Sequence, residues 1–290
     1  MEALKVTFIG IGLIGGSMAL DFKRLFPKTK RFGIDQNPGH ISEAIERGII
    51  DQETTLDQLV DNDIVVLAIP VGASKNLLSS VLDNVGKHTL VFDVGSTKAS
   101  LCKKIANHNR RAQFLAAHPI AGTEFSGPKA AVENLFKHKT NILCESNKTD
   151  SKLLEKAVSL FTKLGMRLSY MDPVEHDRHI AYVSHLSHIS SFMLGKTVIE
   201  KEKDERNIFD MAGSGFESTV RLAKSSPAMW TPIFEENKEN VVESLQEYIA
   251  NLEAFKSWVE NDDFHKVYES MANTNHIKNI LKGITSKNNK

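Results

Sequence analysis

The feature that most limits how this chain can fold lies at its start, where residues 5–9 (KVTFI) run into Gly10-Ile11-Gly12-Leu13-Ile14-Gly15. The β-branched and aromatic run reads as a buried strand. Glycines at this spacing, followed by Gly16-Ser17 and a helical pattern through Leu20 and Leu25, read as a strand, a tight turn and a helix. Gly10 permits the turn, Gly12 lets the backbone approach a pyrophosphate, and Gly15 lets the helix pack closely on the strand. The helix opening at Leu13 and Ile14 presents free N–H groups and its positive dipole end to that phosphate. A second strand, residues 31–34, ends at Asp35, twenty residues beyond Gly15. A carboxylate there can accept from both hydroxyls of an adenosine ribose and repels a 2′-phosphate, which favours NAD over NADP. The bland alternative for Asp35 is a turn or helix-cap aspartate.

The following elements continue the alternation. A helix is expected at 41–47. An apolar strand follows at 64–69 and closes at Pro70, which joins the glycines, Leu13, Ile14 and Asp35 as a candidate cofactor-binding position. Continuous apolar runs suit parallel strands covered on both faces. A helix at 71–85, a strand at 90–94, a helix at 99–107, a strand at 141–144, a helix at 150–164 and a strand at 166–170 complete a right-handed βαβ sheet. Between them lies FLAAHPIAGTEFSG, residues 114–127. Residues 114–117 read as a short strand, with His118, Thr123, Glu124 and Ser126 on a Pro/Gly-punctuated loop after it. Ligands of open α/β sheets bind outside the carboxyl ends of the strands, where a histidine can move a proton near neutral pH. The alternative is a surface loop with an incidental histidine. Ser96, at the end of the 90–94 strand, either turns a hydroxyl into the cleft beside His118 or belongs to a helix cap with Thr97.

At Asp172 the periodicity changes. Asp172-Pro173-Val174-Glu175 is a strong helix start. Helices are expected at 172–200, 216–223, from 227 or 232 to 259, and at 264–282, the long one carrying a stripe from Phe234 through Val241, Val242, Leu245, Ile249, Leu252 and Phe255 to Val259. The expected architecture is therefore an α/β, Rossmann-like dinucleotide-binding domain at 1–171 followed by an all-helical domain at 172–290. Apolar stripes of this extent suit burial against a second subunit. His185 and His188 share a helix face, so they are a metal pair helped by His176 and His179, or buried and satisfied histidines, or a means for His188 to reach a polar ligand. No cysteine or ordered carboxylate set completes a metal site, and none is expected. Arg221 offers a planar fork suited to a carboxylate, or else forms a surface salt bridge.

Lys+Arg and Asp+Glu balance at 36 each, which argues against a surface built for nucleic acid or anionic membrane. Cys102 and Cys144 match no metal or redox spacing and read as reduced thiols. The sequence carries no signal-peptide pattern and no run long enough to span a bilayer, so a cytoplasmic location is expected.

Five blocks (FIGIGLIGGS, DVGSTK, HPIAGTEFSG, HD…SHLSH and GSGFESTVRLAKSSPAMW), with ENKEN beyond them, resemble the prephenate/arogenate dehydrogenases of tyrosine biosynthesis. The resemblance implies an NAD-dependent oxidative decarboxylation and a homodimer formed through the helical domain. By motif position, His118 would deprotonate the ring hydroxyl and Ser96 would hold it. Arg221 would bind a substrate carboxylate, His188 would contact the substrate's polar end, and Glu124 would gate the mouth. Trp230 matches a family tryptophan near the site that reaches across the dimer. Thr123 and Ser184 join the substrate-binding set from their motifs. Ser187 stands where many relatives have proline, and Ser226 replaces a frequent aspartate. Neither a fused mutase before the nucleotide domain nor a regulatory domain after the last helix is expected. Two rivals remain: a β-hydroxyacid dehydrogenase, whose lysine Lys196 would supply without the usual glycine-rich loop, and a non-catalytic NAD-binding scaffold.

Overall fold

The apolar runs become an eight-stranded sheet in a computed structural model that describes residues 4–205 and 207–288. The strands are β1 (Lys5–Ile9), β2 (Lys30–Ile34), β3 (Gln52–Glu53), β4 (Ile64–Leu67), β5 (Leu90–Asp93), β6 (Phe114–Pro119), β7 (Thr140–Cys144) and β8 (Arg167–Met171). Their order is β3-β2-β1-β4-β5-β6-β7-β8, parallel except for the antiparallel pair β6 and β7. Period-two alternation divides the apolar runs between two buried layers. Ile64, Val66, Leu90, Phe92, Leu115 and Ala117 pack with Phe22, Ile41 and Phe161. Val65, Leu67, Val91, Phe114 and Ala116 pack on the opposite face with Leu78, Leu82 and Leu101. The helices supplying these layers are α1 (Leu13–Leu25), α2 (Pro38–Glu46), α3 (Val71–Asn84), α4 (Ala99–Lys104) and α5 (Ser151–Lys163).

Several details differ from the sequence reading, with β4 ending at Leu67 and α4 at Lys104, short of the expected 69 and 107. The short edge strand β3 was not anticipated. Helix α2 begins at Pro38, because the Asn37 side chain accepts from Gly39 N and Pro38 pre-sets the first turn. Strand β6 runs two residues further than expected, since β7 pairs with its end: His118 lies opposite Ile142 and Pro119 opposite Asn141. His118 is therefore a strand residue rather than a loop residue.

The helices after β8 are shorter than predicted. Asp172 caps α6 (Pro173–Ile180), accepting from Val174 N at 2.8 Å and Glu175 N at 3.3 Å. A π-helical turn, Ala181–His185, separates it from α7 (Leu186–Asp204). After α8 (Ser214–Val220), the helix expected to run to 259 is two: α9 (Pro227–Glu236) and α10 (Lys238–Glu260). The break falls at Asn237, whose buried side chain makes polar contacts away from the helix line. The last helix also divides, into α11 (Phe264–Thr274) and α12 (Ile277–Asn288).

The chain forms two compact units, Met1–Asn237 and Lys238–Lys290. The second leaves Val242, Leu252, Phe255, Phe264, Met271 and Ile280 exposed. No helix among the described residues is long and apolar enough to cross a membrane.

Candidate active site

Strands β5 and β6 are parallel neighbours, so the segment after β5 that carries Ser96 and the end of β6 that carries His118 both lie toward the carboxyl edge of the sheet. Ser96 is half-buried there, in the segment between β5 and α4, and His118 is buried. His118 Nδ1 lies 2.8 Å from His176 Nε2, and His176 Nδ1 lies 2.8 Å from Asp177 Oδ1. A carboxylate can only accept here, so His176 donates its Nδ1–H to Asp177 and its Nε2 lone pair accepts a hydrogen bond from His118 Nδ1–H. That order leaves a lone pair on His118 Nε2. Asp177 is itself held, with Oδ1 accepting from Lys98 N at 2.7 Å and Oδ2 from Ala99 N at 2.8 Å. Burial, reinforced by His176, Lys98 and His185, pushes the His118 imidazole well below its ordinary pKa of 6.5. The ring is thus neutral at physiological pH and able to take a proton.

Beneath it lies a charged pair that sequence reasoning missed. The Lys98 ammonium bonds Asp93 Oδ2, and both side chains are buried. Asp93 also accepts from Gly95 N at 2.9 Å and Ala117 N at 3.2 Å. Burial raises its pKa, while Lys98 and these N–H groups pull the other way. The detectable signal was an Asp and a Lys five residues apart at the end of an apolar strand.

A second cluster holds His188, Trp230 and His185. His188 stacks on Trp230 with centroids 3.5 Å apart and planes at 27°, and its Nδ1 donates to Ser184 O at 2.9 Å. Its pKa is lowered, chiefly by burial, although the Ser184 bond acts in the opposite sense. Trp230 meets the His185 ring edge-on at 5.9 Å. Trp230 thus packs against His188 of its own chain. Trp230 Nε1 and His185 Nε2 are buried without a hydrogen-bond partner. Arg221 lies 3.8 Å from Glu124 Oε2, joining the loop after β6 to the end of α8. Thr123 is exposed, its hydroxyl accepting from Phe125 N. The clusters meet at Asn237, a residue of the ENKEN block to which the sequence reading gave no role: Nδ2 donates to Asp177 O at 2.7 Å and faces His185 Nδ1 at 3.2 Å. No group of three metal-ligating side chains occurs among the described residues, and Lys196 pairs on the surface with Glu200.

The glycine loop fits a dinucleotide. Gly10 has φ +91°, and an added Cβ would lie 2.5 Å from Ala68 O. A Cβ on Gly15 would lie 2.0 Å from Gly10 O, so helix and strand touch there. A Cβ on Gly12 would meet nothing within 4 Å, which leaves open space at the start of α1. Leu13 and Ile14 open α1, and Pro70 stands immediately before α3. Asp35 accepts from Ile11 N at 3.0 Å and Asn37 N at 2.9 Å, with His40 Nδ1 at 3.2 Å. Its carboxylate therefore pins the glycine loop and retains limited capacity for a ribose.

Known proteins align with this arrangement along nearly the whole chain. The prephenate dehydrogenase nucleotide-binding domain matches residues 18–170, and the prephenate dehydrogenase dimerization domain matches residues 172–273. The prephenate dehydrogenase of Bacillus subtilis is 30% identical over 282 residues, covering 92% of this chain and 74% of the relative. A crystal structure of prephenate dehydrogenase from A. aeolicus, in complex with hydroxyphenyl propionate and NAD+, superposes with a TM-score of 0.88 at 33% identity, over 97% of this chain and 99% of that one. Synechocystis arogenate dehydrogenase superposes with a TM-score of 0.76 at 26% identity, over 96% of this chain and 100% of that one.

Proposed function

The chain belongs to the prephenate dehydrogenase family, and on that premise we propose that it converts prephenate to 4-hydroxyphenylpyruvate and CO2, reducing NAD to NADH, in tyrosine biosynthesis. The observation that carries the reading is the neutral His118, its Nε2 lone pair fixed by His176 and Asp177 at the carboxyl edge of the sheet.

Gly10, Gly12, Leu13, Ile14, Gly15, Asp35 and Pro70 hold NAD, whose chemistry is to accept a hydride. The pyrophosphate suits the open space above Gly12 and the N–H groups of α1. His118 Nε2 takes the proton of the ring hydroxyl as that carbon is oxidised, and Ser96 holds the same oxygen. Departure of the ring carboxylate as CO2 makes the ring aromatic. The resulting driving force leaves the protein mainly to position the substrate and accept one proton. Arg221 binds a substrate carboxylate and Glu124, within ion-pair reach of it, gates the mouth. Thr123, Ser184, His188 and Trp230 complete the substrate's surroundings.

The working division is a nucleotide-binding domain at 1–171 and a helical domain at 172–290. The change of matched domain between residues 170 and 172 supports it. The helical domain pairs two copies of the chain, which the exposed apolar side chains of α10 to α12 support. The enzyme works in the cytoplasm, where Cys102 and Cys144 stay reduced. Burial pushes both thiols up to about 12, so neither reacts readily.

NADH formation with prephenate and, in parallel, arogenate tests the reaction. Turnover of prephenate is expected. Turnover of arogenate alone would keep the mechanism and change the substrate. Silence with both, while NAD still bound, would overturn the reading in favour of a binding scaffold.

A further inference from the structure

The carboxyl end of α9 is polar and attached to both clusters of the site, with Asn237 buried and Glu236 half-buried. Glu236 closes α9 and receives Lys75 Nζ at 3.1 and 2.9 Å, from α3, and Ser100 Oγ at 2.5 Å, from α4. This anchors the end of α9 to the two helices that follow the cofactor-side strands. Asn237 comes next, and its Nδ2 bonds the backbone oxygen of Asp177 on α6 while facing Nδ1 of His185 in the π turn. Two consecutive residues thereby tie four elements together.

We propose that Asn237 is a positioning residue. It holds Asp177, and through His176 the His118 ring, in the geometry that leaves Nε2 free, and it keeps His185 neutral with its proton on Nε2.

The chemistry follows from the donor order. An amide N–H facing His185 Nδ1 requires a lone pair there. Burial then keeps the ring uncharged, with its titration pushed down to about 4. Asp177 and His176 face His185 from α6, His188 from α7, and Trp230, Phe234 and Asn237 from α9 and its end. A charge at His185 would disfavour any proton on His118. It would also disturb the face on which Trp230 meets His188. Glu236 matters because it stops the α9 end from drifting. A 1 Å misplacement of a catalytic group is enough to cost roughly 100-fold in rate.

The test rests on the proposed reaction for its kinetic part only. Asn237→Asp keeps the shape but replaces the donor with an acceptor, and Asn237→Ser keeps one shorter donor. In each, kcat, the KM for NAD and the histidine NMR titrations would be compared with the parent enzyme. For Asn237→Asp, kcat should fall roughly 10- to 100-fold with the KM for NAD within about twofold. The His185 midpoint should rise by about one unit or more, drawn by the new carboxylate. Asn237→Ser should show a smaller loss and little change in the midpoint. A folded variant with kcat within about twofold of the parent, or an unmoved His185 midpoint in Asn237→Asp, would overturn the proposal. Should Asn237→Asp not fold, the kcat of Asn237→Ser decides. If the parent enzyme turned over neither substrate, the reaction would be wrong, and the NMR titration would still judge Asn237.

Discussion

The sheet and the α10 to α12 unit treat apolar side chains in opposite ways. Every strand from β4 to β6 is wholly buried, with a layer of side chains on each face. In α10 and α11 the apolar residues buried are Val241 and Val267, while Leu252, Phe255 and Met271 stay exposed. At about 25 cal/mol per Å² the first arrangement stabilises itself, whereas the second gains comparable stability only when another surface covers it. The buried region can therefore hold charged and neutral polar groups in fixed places, as Asp93, Lys98 and the His118 relay show. The exposed region is suited to assembly.

The largest effect that would test this division is on rate. His118→Asn should lower kcat roughly 10²- to 10⁴-fold, the range of a general base, without changing the oligomeric state. Near-normal turnover in a stopped assay of NADH would remove His118 from the mechanism.

Acid stability should report on the buried region next. His185 titrates at about 4 in the fold against 6.5 when unfolded, so the folded state resists its proton. Its contribution is complete above about pH 6.5, declines as pH falls, and is lost by about pH 4. His185 alone should account for ~3 kcal/mol of that decline, with the lowered His118 and His188 adding in the same sense, so its share is read as the difference in denaturant midpoints between the parent and His185→Gln over those values. A flat difference across that window would mean that His185 is not buried as described.

The exposed region should answer to Leu252→Glu. If this face pairs two copies as proposed, a charge in it should weaken that pairing roughly 10- to 100-fold, seen by sedimentation at falling concentration. An unchanged mass would place the subunit contact elsewhere.

The smallest effect separates cofactor binding from folding. Gly12→Ala adds a methyl that meets nothing in the fold, so the melting temperature should change little. NAD affinity should fall about tenfold, because the methyl enters the space given to the pyrophosphate. Gly15→Ala should lower both, since its methyl would lie against Gly10 O.

Much of the site was legible because local chemistry demanded it. The jobs of Gly10, Gly12 and Gly15, the Asp172 cap and the carboxyl-edge position of His118 all follow from short-range rules. The long helix from 227 to 259 was not legible as two, since apolar periodicity continues through Asn237 and only distant partners draw that residue inward. Asp93 and Lys98 escaped for a related reason: charges at a strand end read as solvated until both turn out to be buried and paired.

What the sequence by itself determined is the alternation of strands and helices up to β8, the switch to helices at Asp172, the glycine loop and the motifs of the family, because hydrophobic period and backbone sterics act over a few residues. Only the tertiary structure decided which nitrogen of His118 is free. That depends on His176 and Asp177, 58 and 59 residues away in the chain, and on Lys98 and Ala99 N–H groups that hold the aspartate still. A proton's position is set by the partners that surround it, and those partners are neighbours only in the folded chain.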